Sequence, residues 1–363
     1  MRRKSVSYSR FGYMFSLPFI LAFLVFSFYP VLYTAVIGFT DMKGVIPKPV
    51  HILDNPFGNF TDLIMHNTSF RISLANTALI WALNFIPQIG LALLLTAWFT
   101  NQRLKVRGQG AFKVLLYMPN IITASTIAVL FNSLFSYPMG PINSLFESLG
   151  WIDAPVNFLQ DKTTARGIVA FIQFWMWYGN TMIILIAGVM GINPALFEAA
   201  SIDGANGWQT FMRITLPSLK TIMLYTLITS MIGGLQLFDI PQLFLFGGPD
   251  DATLTTSVFI YGQAFKGSYM FNKAAAASMI MFAIAAILSG LLFYLMRDRD
   301  ASRIKKAQKK NEKGCASGGK GGCDSWQTSG WNPEPPFTLT GRSSTSYASS
   351  WRCLASCRSG SCS

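Results

Sequence analysis

Six long stretches of the chain carry little charge and no period-two alternation, and Lys, Arg, Asp, Gly and Pro collect between them. They run approximately from Phe11 to Phe39, Leu74 to Phe99, Phe112 to Phe135, Gly167 to Met190, Leu219 to Phe238 and Ala274 to Met296. A bilayer core about 30 Å thick takes roughly 20 mostly apolar residues of helix, so each stretch is long enough to cross it. Barrel strands would alternate and these runs do not, so the pattern predicts an all-α polytopic membrane protein with six transmembrane helices. Pro87 and Pro119 fall inside the second and third stretches and Pro30 near the end of the first, where kinks are expected.

Composition agrees with the pattern. Charged residues make up 12% of the chain, where a soluble domain carries about a quarter. The net charge of +13 sits beside the apolar runs rather than on one basic face, which reads as membrane orientation and not as nucleic-acid binding. The basic "MRRKSVSYSR" precedes the first stretch as a signal peptide's n-region would. The apolar run is too long for a signal core, and no small-x-small cleavage site follows, so the first helix is expected to stay.

Lys and Arg near the helix ends set the orientation. One side holds fifteen: Arg2, Arg3, Lys4, Arg10, Arg103, Lys105, Arg107, Lys113, Arg213, Lys220, Arg297, Arg299, Arg303, Lys305 and Lys306. The other holds seven: Lys43, Lys48, Arg71, Lys162, Arg166, Lys266 and Lys273. Both termini are therefore expected in the cytoplasm, together with the polar segment "GINPALFEAASIDGANGWQTFMRITLPSLK" between the fourth and fifth spans.

That segment parses as a helical hairpin. Asn193 suits an N-cap and Pro194 the first helical position, where a missing N–H costs nothing. A short helix from Pro194 to about Ile202 is broken by "DGANG", in which Gly204 and Gly207 can take positive φ. A second short helix starts near Trp208, and Pro217 punctuates entry to the fifth span. By itself such a hairpin is either a connecting loop or a docking knob offering Glu198 and Asp203 to a basic partner.

The order Glu198-Ala199-Ala200, Asp203-Gly204-Ala205, then Ile214 and Leu216-Pro217 resembles the EAA signature of the membrane subunits of binding-protein-dependent ABC importers. The resemblance implies an ABC importer permease fold with a cytoplasmic coupling helix at 194–217, seated in a cleft of a separate ATPase. It implies that Glu198 faces basic groups on that ATPase, that Gly204 makes the turn, and that Ala199 and Ala200 form the contact face. "FLFGGPDDATLTTSVFIYGQAFKGSYMFNKAAAASMIMF" is similar to the GGP…T…YIY…AF…AAA pattern of maltose and multiple-sugar permeases, in particular the larger maltose permease subunit. "LPFILAFLVFSFYPVLYTAVIGFTD" is similar to that family's opening span. The likeness covers roughly Arg10 to Arg299, without the extra N-terminal spans and large external domain of the maltose subunit.

An importer needs a polar path at membrane depth, and the spans supply amides and aromatics that suit sugar hydroxyls and C–H faces. Candidates are Asn84 and Gln88 in the second span, Asn120, Thr123 and Ser125 in the third, and Gln173, Trp175, Trp177, Tyr178 and Asn180 in the fourth. Gln236 and Asp239 follow in the fifth and lie nearest the "GGP" that the family places close to its substrate contacts. Polar residues also join helices to one another, and Gly233-Gly234 suits either local distortion or close packing.

No GxxxxGK[ST] loop is present, nor a paired-carboxylate or Ser/His/Asp set in the spans, so no enzyme activity and no P-loop ATP site are expected here. ATP and magnesium would be used by the partner ATPase. The expected organisation is a basic cytoplasmic N-terminus at 1–10, a six-span permease domain at 11–299, and a tail at 300–363. All five cysteines follow Lys313, in a Ser- and Gly-rich run without CxxC pairing, so no disulfide framework or metal site is expected. That tail is expected to be disordered and without a transport role, as an out-of-frame extension would be; a regulatory tail is the alternative.

The leading expectation is a permease subunit of an ABC importer in the bacterial inner membrane, carrying a sugar or oligosaccharide into the cytoplasm. Its partners would be a second six-span permease, an ATPase dimer, an extracellular or periplasmic sugar-binding protein and membrane lipid, with no nucleic acid. The alternatives are an ion-coupled secondary transporter with Asp239 as its ion site, a membrane scaffold, or import of a polyol or glycerol-phosphate compound.

Overall fold

The computed structural model describes residues 9–44, 51–101, 107–267 and 269–296. Arg2, Arg3, Lys4, Lys48, Arg103, Lys105 and everything beyond Met296, including the cysteines and the expected tail, lie outside the described residues. Among the described residues every regular element is helical, and extended backbone pairs only at an isolated antiparallel bridge between Thr40 and Ile52.

The first apolar stretch forms α1 (Ser9–Phe23) and α2 (Tyr29–Gly38), joined by one wider π-helical turn at Leu24–Phe28. Pro30 has no N–H to give the Phe26 carbonyl, so the ladder widens just ahead of it. The second stretch is a single helix, α3 (Thr68–Thr100), capped by the Asn67 side chain and running on through Pro87 without a break.

The third stretch is not the continuous span that its hydropathy suggests. It consists of α4 (Gln109–Ile121) and α5 (Ala124–Leu134), bent by 89°. Pro119 removes a donor in the last turn of α4, Ile122 and Thr123 are extended, and the Thr123 side chain caps α5 by accepting from Thr126 N–H. Two local stop signals and one start signal thus fall within five residues.

After a short helix, α6 (Pro141–Ser148), comes α7 (Lys162–Met190), capped by Asp161. The hairpin follows as α8 (Pro194–Ile202) and α9 (Gly207–Thr210), continued by a π-helical turn at Phe211–Thr215 and a last turn to Ser218. The fifth span is α10 (Lys220–Leu235), set at 68° to the Gly207–Ser218 arm. It ends earlier than expected, so Gln236 and Asp239 lie beyond the helix rather than on it. A turn at Gln236–Phe238 separates α10 from a short helical segment that continues through Pro241 to Leu245, where the proline occupies a first-turn position and its missing N–H costs nothing. α11 (Thr256–Phe265) and α12 (Phe271–Met296) complete the described chain. Four helices are long and apolar enough to cross a membrane, and six spans result when each bent pair counts as one.

The most extensive contact joins α3 to α7. Gly179 brings α7 so close to α4 that a methyl there would run into the Leu116 carbonyl. Gly188 receives Ile222 and Leu219 from the start of the fifth span in the same way. Around these close approaches sit Ile127, Ile172 and Phe244 in one apolar cluster, and Ala92, Met182 and Leu185 in another. At the end opposite the hairpin, Asn59 Nδ2 donates to the Gly38 and Thr40 carbonyls, both at 2.9 Å, and Asn272 Nδ2 donates to Asn59 Oδ1 at 3.0 Å. Beside them Lys273 pairs with Asp62 at 2.7 Å. Together they clamp the ends of α2 and α12 to the segment before α3. By contrast, none of the apolar window of the first span is buried against the rest of the chain.

Candidate functional site

A cavity of about 330 Å³ lies among α3, α7, α10 and the segment after α10. From α3 it takes Trp81, Asn84 and Gln88, whose spacing of three and four places them on one helical stripe. From α7 come Gln173, Trp177, Asn180 and Thr181, and from α10 come Tyr225, Thr226, Thr229, Ser230, Gly233 and Gly234. Gln236 and Asp239 close it from the turn beyond.

Hydrogen bonding divides these polar groups into two kinds. Gln88 Nε2 donates to Thr181 Oγ1 at 2.7 Å, and Thr181 donates to the Trp177 carbonyl at 3.2 Å. That pair joins α3 to α7. Asn84 and Gln173 are just as deeply buried, at 6% exposure each, and their side chains have no hydrogen-bond partner among the described residues. Neither amide is among the polar side-chain atoms enclosed without a partner, so both reach the cavity and are open to water or another polar occupant. Asp239 is exposed to the cavity with no ion pair among the described residues, and no Lys, Arg or His lines the wall.

Five pathway candidates lie outside the lining. Tyr178 is buried with its ring 5.7 Å from that of Phe174, away from the cavity lining. Asn120 sits half-buried at the end of α4, beside the bend. Thr123 is occupied as a cap, bonded also to Ser125, and Trp175 packs on Phe131 at 5.8 Å. Trp81, Thr181, Tyr225, Thr226, Thr229 and Ser230 were not among the candidates although they line the cavity. Their signal is helical spacing: Trp81 precedes Asn84 by three residues, and Tyr225 precedes Thr229 by four. Gly234 is the closely packed member of the glycine pair, set against Trp81, whereas Gly233 has nothing near it.

The hairpin is built by local chemistry. Asn193 accepts from Ala195 N–H at 3.0 Å, and Gly204 makes the turn at φ +73°. Asn206 and Gln209 form a reciprocal capping box, bonded at 2.8 and 2.9 Å. Glu198, Ala199, Asp203 and Gly204 are exposed, and Glu198 has no ion pair among the described residues. Ala200 is buried, and its carbonyl accepts from Ala205 N–H at 2.9 Å, so it braces the turn rather than sharing an outer face with Ala199. Ile214 and Leu216 are half-buried in the returning arm, and Pro217 is exposed at the elbow. Gly207 rests on Asn101 at the end of α3, and a groove of about 250 Å³ runs beneath, with Phe197 and Phe211 among its walls. Ile202, Met190 and Trp208 project outward at 86%, 81% and 58% exposure. No group of three potential metal ligands occurs among the described residues.

The model of the family described as binding-protein-dependent transport system inner membrane component matches residues 6–306. The lactose transport system permease protein of Rhizobium radiobacter is 33% identical over 292 residues, covering 79% of this chain and 94% of that one. The arabinooligosaccharides transport system permease protein of Bacillus subtilis (strain 168) is 30% identical over 277 residues, covering 76% and 85%. Among solved structures, a bacterial ABC transporter that imports the acidic polysaccharide alginate aligns with a TM-score of 0.67 at 24% identity, over 79% of this chain and 95% of that one. An alginate transporter in complex with an alginate pentasaccharide-bound periplasmic protein aligns at 0.66 and 25% identity, over 79% and 94%.

Proposed function

The chain belongs to the binding-protein-dependent transport system inner membrane components, and from that membership we propose that it is the permease subunit of an ATP-driven importer for a neutral sugar or oligosaccharide. The observation that carries the reading is the pair of buried, unpaired amides, Asn84 and Gln173, in a cavity edged by Trp177 and Tyr225. Hydroxyls both donate and accept, so one sugar ring can satisfy an amide's N–H and its carbonyl together. Aromatic edges and faces suit the C–H surfaces of the same ring. The lactose and arabinooligosaccharide relatives support that substrate class. A cavity wall with one carboxylate and no cation disfavours glycerol-phosphate and uronate cargo.

Energy enters elsewhere in this reading. The exposed hairpin, with Glu198 and Asp203 offered outward and Trp208 beside them, docks on a separate ATPase that binds the ATP and magnesium. Both termini and the hairpin lie in the cytoplasm, on the side richer in Lys and Arg. A second permease completes the pathway, the ATPase works as a dimer, and a sugar-binding protein delivers cargo from outside. Asn120 and Tyr178, which do not line the cavity, hold the bend and the α7 packing instead of touching sugar.

The test is reconstitution of the complete importer in liposomes, with uptake of radiolabelled lactose or arabinotriose followed with and without internal ATP. Uptake should require ATP and the binding protein, and Glu198→Lys should reduce ATPase association and uptake together. Uptake by this chain alone, driven by an ion gradient and indifferent to Glu198→Lys, would overturn the reading.

A further inference from the structure

The indole of Trp81 forms part of the cavity wall, yet its Nε1–H is shielded from solvent and has no hydrogen-bond partner among the described residues. One face of the ring stacks on Phe85, with centroids 5.4 Å apart and planes 17° from parallel. The pyrrole edge lies against Gly234 so closely that a Cβ there would overlap Cδ1 and come within 2.9 Å of Nε1. Only glycine at position 234 allows the ring to rest where it does.

Two features set this arrangement apart from ordinary packing. A buried indole normally finds an acceptor for its N–H, because leaving the donor unmet is costly. Here the donor has no acceptor among the described residues and its ring is held beside Gly234, while Asn84, three residues along the same helix, and Gln236, two residues past Gly234, border the adjoining cavity. The ring is also fixed on two sides, with one face on Phe85 and its pyrrole edge on Gly234, and the N–H is the polar group it leaves unused.

We propose that Trp81 is a substrate-responsive donor. Its pyrrole edge is parked over Gly234 and turns inward to donate Nε1–H to a sugar hydroxyl when cargo enters. Gly234 is the positioning residue that permits the parked state. The inference rests on the sugar-carrying reading of the cavity. It adds the residue that senses occupancy from the wall formed jointly by α3 and α10.

The experiment uses the intact importer in detergent and measures equilibrium binding of radiolabelled lactose and of arabinotriose without the binding protein. Trp81→Phe keeps the ring on Phe85 and removes the donor. It should raise the dissociation constant about tenfold, the size of one neutral hydrogen bond, with an unchanged or higher unfolding midpoint. A lowered midpoint with unchanged sugar binding would make Trp81 a packing residue and overturn the proposal. The parked state is read separately from fluorotryptophan NMR, with the Trp81 signal assigned by its loss in Trp81→Phe. That signal should be shielded from solvent in the wild-type importer and exposed in Gly234→Ala. A signal unmoved by Gly234→Ala also overturns the proposal. If the wild-type importer binds neither sugar, the reading of the cavity fails, and the NMR result alone decides whether the indole is parked.

Discussion

The cavity and the hairpin are unfinished in opposite ways. Inside, Asn84 and Gln173 keep polar amides without partners among apolar helices. Outside, Ile202 and Trp208 hold apolar surface uncovered on a polar hairpin, with Met190 exposed at the end of α7 just before it. An unpaired amide is completed by hydroxyls or water, and an uncovered indole by another protein's surface. The two regions therefore call for different partners. What they share is rigid support: caps and a left-handed glycine in the hairpin, close glycine contacts and the Gln88–Thr181 bond around the cavity.

The sharpest way to break the comparison is to remove that support. Gly179→Val would drive a branched side chain into the α4 backbone at Leu116. Overpacking of this kind costs about 3 kcal/mol, and the expected outcome is a lower unfolding midpoint with loss of both sugar binding and ATPase association. Next in size, Trp208→Ala should weaken ATPase association by about 2 kcal/mol, roughly thirtyfold, as truncation of an interfacial tryptophan does. Sugar binding to the cavity should stay intact, which titration of the purified ATPase and equilibrium dialysis of sugar would together establish.

Asn84→Leu tests the other side and should leave the unfolding midpoint nearly unchanged, because the amide it removes bonds nothing among the described residues and borders the cavity. Sugar uptake should fall while ATPase association is unchanged, and a lower midpoint would mean that Asn84 is satisfied within the fold. The smallest effect belongs to the clamp at the opposite end. The Lys273 ammonium bonded to Asp62 holds its carboxyl below the ordinary value of 3.8, against the opposing effect of burial. Such a group stabilises the fold above its unfolded pKa and loses that contribution as pH falls through the lowered folded value. Asp62 is 41% exposed, so screening limits the effect to less than about 1 kcal/mol. The acid-induced drop in midpoint below pH 4 should be slightly shallower in Asp62→Asn, with neither cavity nor hairpin affected.

Legibility from sequence follows how local the causes are. The start of the hairpin at Asn193-Pro194 and its turn at Gly204 are written in adjacent residues, because caps and positive φ depend on little else. The Asn206-x-x-Gln209 box has the same local character and its spacing was available to read. The bend after α4 was only half legible. Pro119 marks where a helix falters, but the 89° angle depends on where α5 finds its apolar cover. The early end of α10, which leaves Gln236 and Asp239 beyond the helix, was hidden because Leu237 and Phe238 continue the hydropathy. Among the candidate polar residues, spacing could show that Asn84 and Gln88 share a stripe. It could not show that Thr181, ninety-three positions away, occupies one amide and leaves the other open.

α10 has one end at the 68° elbow beneath the hairpin and the other at Gly234, against the indole and the cavity. Mechanically it is a stiff rod of sixteen residues, about 24 Å long at 1.5 Å per residue. A turn of about 5° at the elbow sweeps the far end by about 2 Å over that length. That is enough to take an N–H from hydrogen-bonding range to none. A tilt too small to alter the fold at the hairpin is therefore large in the units that matter at the cavity.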